Sequence, residues 1–324
     1  MTRSLGGAEL ATSIRNDASV AAAALAEIGV RPKLAVVQAT DDESTAWYVR
    51  SIASAAKRTG ILCDIVDLGA AASTEQIRST LVELGHDPDV HGIILQTPLP
   101  DETDLDALRE AINPAKDVDG ANPVSLGRLV ARLPAFAPAT AQAVIALLDH
   151  HGISPHGRTA AVVGRSTVVG SPVAHLLVQR NATVTVCHRH TTDLAAGTRD
   201  ADILVVAVGI PGLITADHVA DGAVVIDVGT TATADGRLLG DVDAAAVDGR
   251  AGALTPVPGG VGPVTTALLL NHTVDAAATQ YAQTRSDSLL SGFRSRRLTP
   301  SPPLDPLVQP EIAWAHSDIS VRSD

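Results

Sequence analysis

Seven residues, Gly164-Arg165-Ser166-Thr167-Val168-Val169-Gly170, separate an apolar run at 159–163 from an amphipathic stretch at 170–180. Glycines between a strand and a helix permit a tight turn and let a phosphate reach backbone N–H groups at the helix N-terminus. The spacing departs from Gly-x-Gly-x-x-Gly because Ser166 stands at the middle glycine. An ordinary strand-to-helix turn would use the same residues. Charge separates the two readings. Sites that prefer an unphosphorylated ribose place an Asp or Glu about 20 residues on, at the end of the second strand. Here that place reads Cys187-His188-Arg189-His190, with no carboxylate, and Arg165 lies on the first loop. Two guanidiniums suit a 2′-phosphate. The expected cofactor is therefore NADP, with Gly164, Arg165, Ser166 and Arg189 at the site; a merely solvated Arg189 is the alternative. Cys187, His188 and His190 lack a second ligand cluster at zinc spacing, so no metal is expected.

Two further strings carry chemistry. Lys116-Asp117-Val118-Asp119-Gly120 sets two carboxylates two residues apart. An isolated Asp-x-Asp would read as a solvated turn or a helix cap. Thr255-Pro256-Val257-Pro258-Gly259-Gly260-Val261-Gly262-Pro263 alternates residues that fix the chain path with residues that allow positive φ. It reads as a stiff loop, either lining a site or turning between domains.

The elements that must hold these strings follow from periodicity. Residues 8–29 read as an Ala-rich amphipathic helix, 34–38 as a buried strand, 44–59 as a helix ended by Gly60, 61–66 as a strand, 73–85 as a helix and 92–96 as a strand. A second series runs helix 140–151, strand 159–163, helix 170–180, then strands 183–186, 203–208 and 223–228. Strands alternating with helices imply βαβ units and parallel sheets, the second series being of Rossmann type. From residue 284 to 324 Ser, Pro and Arg dominate, and a disordered tail is expected, with Trp314 its one conceivable docking point.

Composition narrows the class. The 324 residues are 45% hydrophobic and only 2% aromatic, so the core must be aliphatic. A net charge of −12 argues against broad nucleic-acid binding. Two cysteines, Cys63 and Cys187, make no disulfide framework and suit a reducing cytoplasm. No signal peptide pattern opens the chain, and no run approaches the roughly 20 apolar residues of a membrane span. The basic residues are almost all Arg; the lysines are Lys33, Lys57 and Lys116.

Taken in order, residues 92–100 (GIILQTPLP), 112–120 (INPAKDVDG), 162–172 (VVGRSTVVGSP), 202–212 (DILVVAVGIPG), 224–229 (VVIDVG) and 255–263 (TPVPGGVGP) go beyond a generic dinucleotide fold. The chain resembles the methylenetetrahydrofolate dehydrogenase/methenyltetrahydrofolate cyclohydrolase (FolD) family from near residue 5 to near residue 280. The resemblance implies an α/β fold. A folate-binding catalytic domain would comprise 1–138 and 265–283, an NADP-binding Rossmann domain 139–264, and the C-terminal helix would return to the first domain. It implies tetrahydrofolate derivatives as substrates, a homodimer in the cytoplasm, and a role in one-carbon metabolism.

The resemblance also assigns residues. Tyr48 matches a Tyr whose ring stacks on the aminobenzoate of folate. Gln96 matches a catalytic Gln, and Asp119 matches the carboxylate that grips the pterin, while Asp117 holds the loop. Pro258, Gly259 and Gly260 line folate and nicotinamide, and Thr230 lies at the cofactor. Four residues after Tyr48 the family carries a Lys, and i, i+4 positions share a helix face. Here that position is Ile52. A buried amine can exchange protons near neutral pH; a hydrocarbon cannot. Lys57 lies about 140° round the helix from Ile52. Further departures are Ala121-Asn122-Pro123 after the acidic string, Pro138-Ala139-Thr140 where Pro-Cys-Thr is usual, Thr230-Thr231 for Ile-Asn, and Val264 for Met. The expectation is an NADP-dependent dehydrogenase with weak or absent cyclohydrolase activity. The alternatives are a fully bifunctional enzyme, in which Gln96 and a water replace the Lys, and a non-catalytic folate- or nucleotide-binding paralogue.

Overall fold

Strand β1 (Arg3–Ser4) opens the chain, followed by α1 (Ala8–Glu27), β2 (Lys33–Gln38), α2 (Glu43–Arg58), β3 (Leu62–Asp67), α3 (Thr74–His86) and β4 (Gly92–Leu95). Two short helices, α4 (Leu105–Ala111) and α5 (Pro123–Val130), lead to α6 (Ala139–His150). The second series runs β5 (Thr159–Val163), α7 (Gly170–Gln179), β6 (Thr183–Cys187), α8 (Leu194–Thr198), β7 (Ile203–Val206) and β8 (Val224–Asp227). It ends with a hairpin of β9 (Thr231–Ala232) and β10 (Leu238–Leu239), then α9 (Ala244–Val247), β11 (Ala253–Leu254) and the long α10 (Val261–Thr284). This computed structural model describes residues 1–233 and 236–284. The expected tail lies outside the described residues. The rest falls in one compact unit, and no helix among the described residues is long and apolar enough to cross a membrane.

Two parallel sheets form two lobes. The smaller has the order β3-β2-β4, the larger β1-β11-β8-β7-β5-β6. Within the larger, β5 is flanked by β6 and β7, so the chain reverses its direction of travel there. Open parallel α/β sheets bind ligands at such a switch point, outside the carboxyl ends of the strands. The first strand is an exception to the expected division of the chain. Arg3 and Ser4 pair with Ala253 and Leu254, at the edge of the larger sheet.

Side-chain alternation explains why both sheets are apolar on both faces. On β2, Leu34 and Val36 enter one core, Ala35 and Val37 another. On β5, Ala160 and Val162 face one way, Ala161 and Val163 the other. One cluster joins the lobes: Leu34, Val36 and Ile94 of the small sheet, Val162, Val205 and Ile226 of the large one, with α1, α6 and α10 between. The expected helix crossing back to the first lobe is α10, packed on both α1 and α6.

Candidate active site

Asp119 is placed by the glycine that follows it. Gly120 has φ +64°, and a Cβ there would lie 2.5 Å from Pro138 N and 2.7 Å from Ala137 C. Only glycine lets the 116–120 loop press so closely on 136–138. Asp119 thereby reaches the start of α6 and accepts the Ala139 N–H, a position where a helix favours a negative charge. Burial, and then the neighbouring Asp117, raise its pKa to about 7, against the Ala139 bond and the Arg109 charge. Asp117 is wholly buried and holds the loop as expected, accepting from Ala121 N, Asn122 N and Ser125 Oγ. Burial raises its pKa and these bonds oppose the shift.

Tyr48 stands on α2, whose N-terminus is capped by Asp42 through Thr45 N. Its ring is half-buried against the joint core. Burial raises the phenol pKa, offset by a hydrogen bond with Thr266 on α10 and reinforced by the charge of Asp119. Tyr48, Asp119, Thr266 and the α6 N-terminus thus form one cluster where the lobes meet. Ile52, one turn below Tyr48, is wholly enclosed in the core. The lysines are all engaged or remote. Lys33 pairs with Asp64 at 2.7 Å. Lys57 is exposed. Lys116 donates to Leu84 O and Asp87 O at the end of α3, and burial lowers its pKa. Gln96 sits just past β4 and donates Nε2 to Thr97 O at 2.8 Å; no hydrogen bond among the described residues joins it to Tyr48 or Asp119.

The proline–glycine loop is held from three sides. Gly260 N donates to Pro256 O, Gly7 N donates to Gly259 O, and Thr255 Oγ1 both accepts from Asp227 N and donates to Asp227 O. The Val257–Pro258 peptide is cis and Gly259 has φ +110°. A Cβ on Gly7 would lie 2.1 Å from Gly260 O, so the start of α1 also needs a bare backbone. Sequence reading missed Gly7; the Gly6-Gly7 pair before an Ala-rich helix was its only signal.

The dinucleotide loop is equally tight. A Cβ on Gly170 would fall 2.2 Å from Gly164 O, and one on Gly164 would fall 2.3 Å from Ala207 O. Ser166 Oγ accepts from Val169 N and Gly170 N, an acceptor oxygen placed where a helix N-terminus receives a phosphate oxygen. Val163 pairs with Cys187 on adjacent parallel strands. Arg165 and Arg189 each follow by two residues, so their backbones leave adjacent strands at one level, and both residues are exposed. The glycine turn ahead of α7 and the two exposed arginines fit NADP. Cys187 points inward, against Gly197, away from His188 and His190. Thr230 is exposed after β8. The turns around it are tied by two buried carboxylates. Asp227 accepts from Gly229 N, Asp241 N and Val242 N. Asp241 accepts from Val208 N and Gly209 N. Burial raises the Asp227 pKa to about 6 against those bonds.

Three supports had no sequence signal. Asn122 caps α5 through Val124 N while its amide donates to the carbonyls of Arg109, Glu110 and Ile112. His272 is buried on α10, with Nδ1 on Val118 O and Nε2 on Gln142 Oε1. A carbonyl only accepts, so Nδ1 carries the proton. Burial lowers the His272 pKa and keeps the ring neutral, so Nε2 is an acceptor and the Gln142 amide is best turned to donate to it. Arg109 extends from α4 to Thr167.

Residues 5–119 match the catalytic domain, and residues 138–281 the NAD(P)-binding domain, described as those of tetrahydrofolate dehydrogenase/cyclohydrolase. A Rhodococcus jostii protein named bifunctional protein FolD 1 is 96% identical over 295 residues, covering 91% of this chain and 99% of its own. Bifunctional protein FolD of Nocardia farcinica is 56% identical, covering 85% and 98%. Among solved structures, the Trypanosoma brucei methylenetetrahydrofolate dehydrogenase-cyclohydrolase (FolD), complexed with NADP and an inhibitor, superposes with a TM-score of 0.82 at 37% identity, covering 86% and 98%.

Proposed function

From its membership of the tetrahydrofolate dehydrogenase/cyclohydrolase family, we propose that this chain keeps the dehydrogenase activity while the cyclohydrolase activity is weak or lost. It is an NADP-dependent enzyme acting on methylenetetrahydrofolate. Bound NADP would supply the acceptor for the hydride that the methylene carbon gives up with its electron pair. The methenyl cation left behind is stabilised by the two folate nitrogens beside it. The chain's own residues bind and orient. The Tyr48 ring stacks on the aminobenzoate, the Asp119 carboxylate accepts from the pterin edge, and the Pro258-Gly259-Gly260 backbone shapes the wall and keeps water out. No proton has to leave through a side chain.

Ring opening asks for more. Water adds to the methenyl carbon, loses a proton, and one folate nitrogen gains a proton as its C–N bond breaks. The single observation behind the proposed split is Ile52, a fully buried hydrocarbon one helical turn from Tyr48, with no lysine amine beside it. The full bifunctional reading is supported by the names its relatives bear, the 96% identical one among them; in it Gln96 and a water carry the proton.

A paired assay on one sample decides between them, following NADPH absorbance and methenyltetrahydrofolate loss. Ile52→Lys is expected to raise hydrolysis about 10²–10⁴-fold with oxidation little changed, and Ile52→Met, which fills the same space, is expected to raise nothing. Rapid hydrolysis by the unaltered protein would refute the split. We further propose that 1–138 with 265–283 binds folate and 139–264 binds the cofactor, and that the enzyme works as a cytoplasmic homodimer. Light scattering and cell fractionation test the last two.

A further inference from the structure

Arg109 crosses between the lobes with no task in the scheme above. Its side chain is 17% exposed. Nη1 donates to Thr167 Oγ1 at 3.3 Å, on the loop between β5 and α7. The same atom lies 3.5 Å from the Asp106 carboxylate, which is 88% exposed and so mostly satisfied by water. Nε and Nη2 donate to nothing among the described residues. The backbone beneath is fixed, since Asn122 Nδ2 donates to Arg109 O and Ile112 O. A guanidinium carries five N–H donors in a planar fork that matches phosphate oxygens. This fork is largely withdrawn from water and mostly unused.

What it would bind follows from where it points. Thr167 precedes Gly170, the first residue of α7, by three positions, inside the loop whose glycines leave the backbone bare. The other charge that Arg109 feels is Asp119 of its own lobe; with the pterin edge on Asp119, the carboxylates of folate lie at the far end of that ligand. We propose that Arg109 is a cofactor-binding residue supplied by the folate lobe, its free donors taking the pyrophosphate of NADP at the 164–170 loop. The dinucleotide is then held from both lobes.

The test is calorimetric titration of the full chain and of Arg109→Ala and Arg109→Lys with three probes. These are NADP, adenosine 2′-monophosphate, which has the ribose phosphate but no pyrophosphate, and tetrahydrofolate. Arg109→Ala should weaken NADP about ten- to a hundredfold and reduce the salt dependence of its binding. It should leave adenosine 2′-monophosphate unchanged, and tetrahydrofolate too when titrated well above pH 7, where Asp119 is ionised with or without the arginine; Lys, a point charge without the fork, should recover part of the loss. Unaltered NADP affinity overturns the proposal. So does an equal loss for adenosine 2′-monophosphate, which would mean a disturbed Rossmann lobe, or a loss for tetrahydrofolate alone, which would put Arg109 on folate carboxylates. The readout is binding, so the outcome is independent of how the two activities are divided.

Discussion

At the scale of single residues, Asp119 has a pKa near 7 set mainly by burial, well above its ordinary 3.8. Its ionised form is the one that accepts two N–H bonds from the pterin edge. As pH falls through about 7 the carboxylate of the free enzyme protonates and loses that capacity. We expect kcat/KM for methylenetetrahydrofolate to decline on the acid side with an apparent pKa near 7. Asp119→Asn should abolish that limb along with most of the rate; stopped-flow assays across pH 5–9 would show a persisting limb if another group were responsible. The glycine–proline loop was legible from its own composition, whereas Tyr48 and Asp119 were legible only through the family resemblance. Arg109 and His272 were not. Their partners lie 58 and 154 residues away, and nothing near them in the chain marks those contacts.

At the scale of elements, the dinucleotide loop shows how far pattern reading reaches. Glycine at both ends of a strand-to-helix connection was visible; the cause became so only with the fold, since one missing Cβ makes room for the other glycine's carbonyl. Gly170→Ala would place its methyl carbon 2.2 Å from Gly164 O and 2.8 Å from Arg165 N, both backbone atoms that cannot swing aside. Opening the loop costs about 1–3 kcal/mol. Taken from binding, that is about a ten- to hundredfold loss of NADP affinity, readable by fluorescence titration beside a circular-dichroism melt. The long regular elements were legible from periodicity. The short ones, α4, α5, β1, β11 and the β9–β10 hairpin, were not. Helices of seven and eight residues and strands of two show too little of any repeat. They depend on caps and partners such as Asp104 on Ala107 N and Asn122 on Val124 N.

At the scale of the whole molecule, buried carboxylates couple the site to stability. Asp119 is held near pKa 7 in the folded chain and near 3.8 unfolded. The folded state therefore binds the extra proton between those values, and this group's contribution is fullest below about 4 and lost as pH rises through 7. Asp227, near 6, acts in the same sense, while His91 and His272, whose pKa values burial lowers, act in the opposite one. A difference measurement isolates the first. The Tm of Asp119→Asn minus that of the unaltered protein should be largest near pH 8 and shrink steadily toward pH 5; a flat or growing difference would contradict it. The parallel two-lobed architecture was readable from alternating strands and helices, but the insertion of β1 into the far sheet was not, because a two-residue strand is defined only by its partner. That insertion governs how the chain can assemble. Arg3 and Ser4 pair with Ala253 and Leu254, Thr2 bonds Ala251 O, and α1 packs on α10. Residues 2–27 must wait, undocked, until residues 251–284 have been synthesised, and such distant closures are slow to form. Nascent chains arrested before residue 250 should therefore carry a loose leading helix, an invitation to a chaperone that the finished enzyme no longer extends.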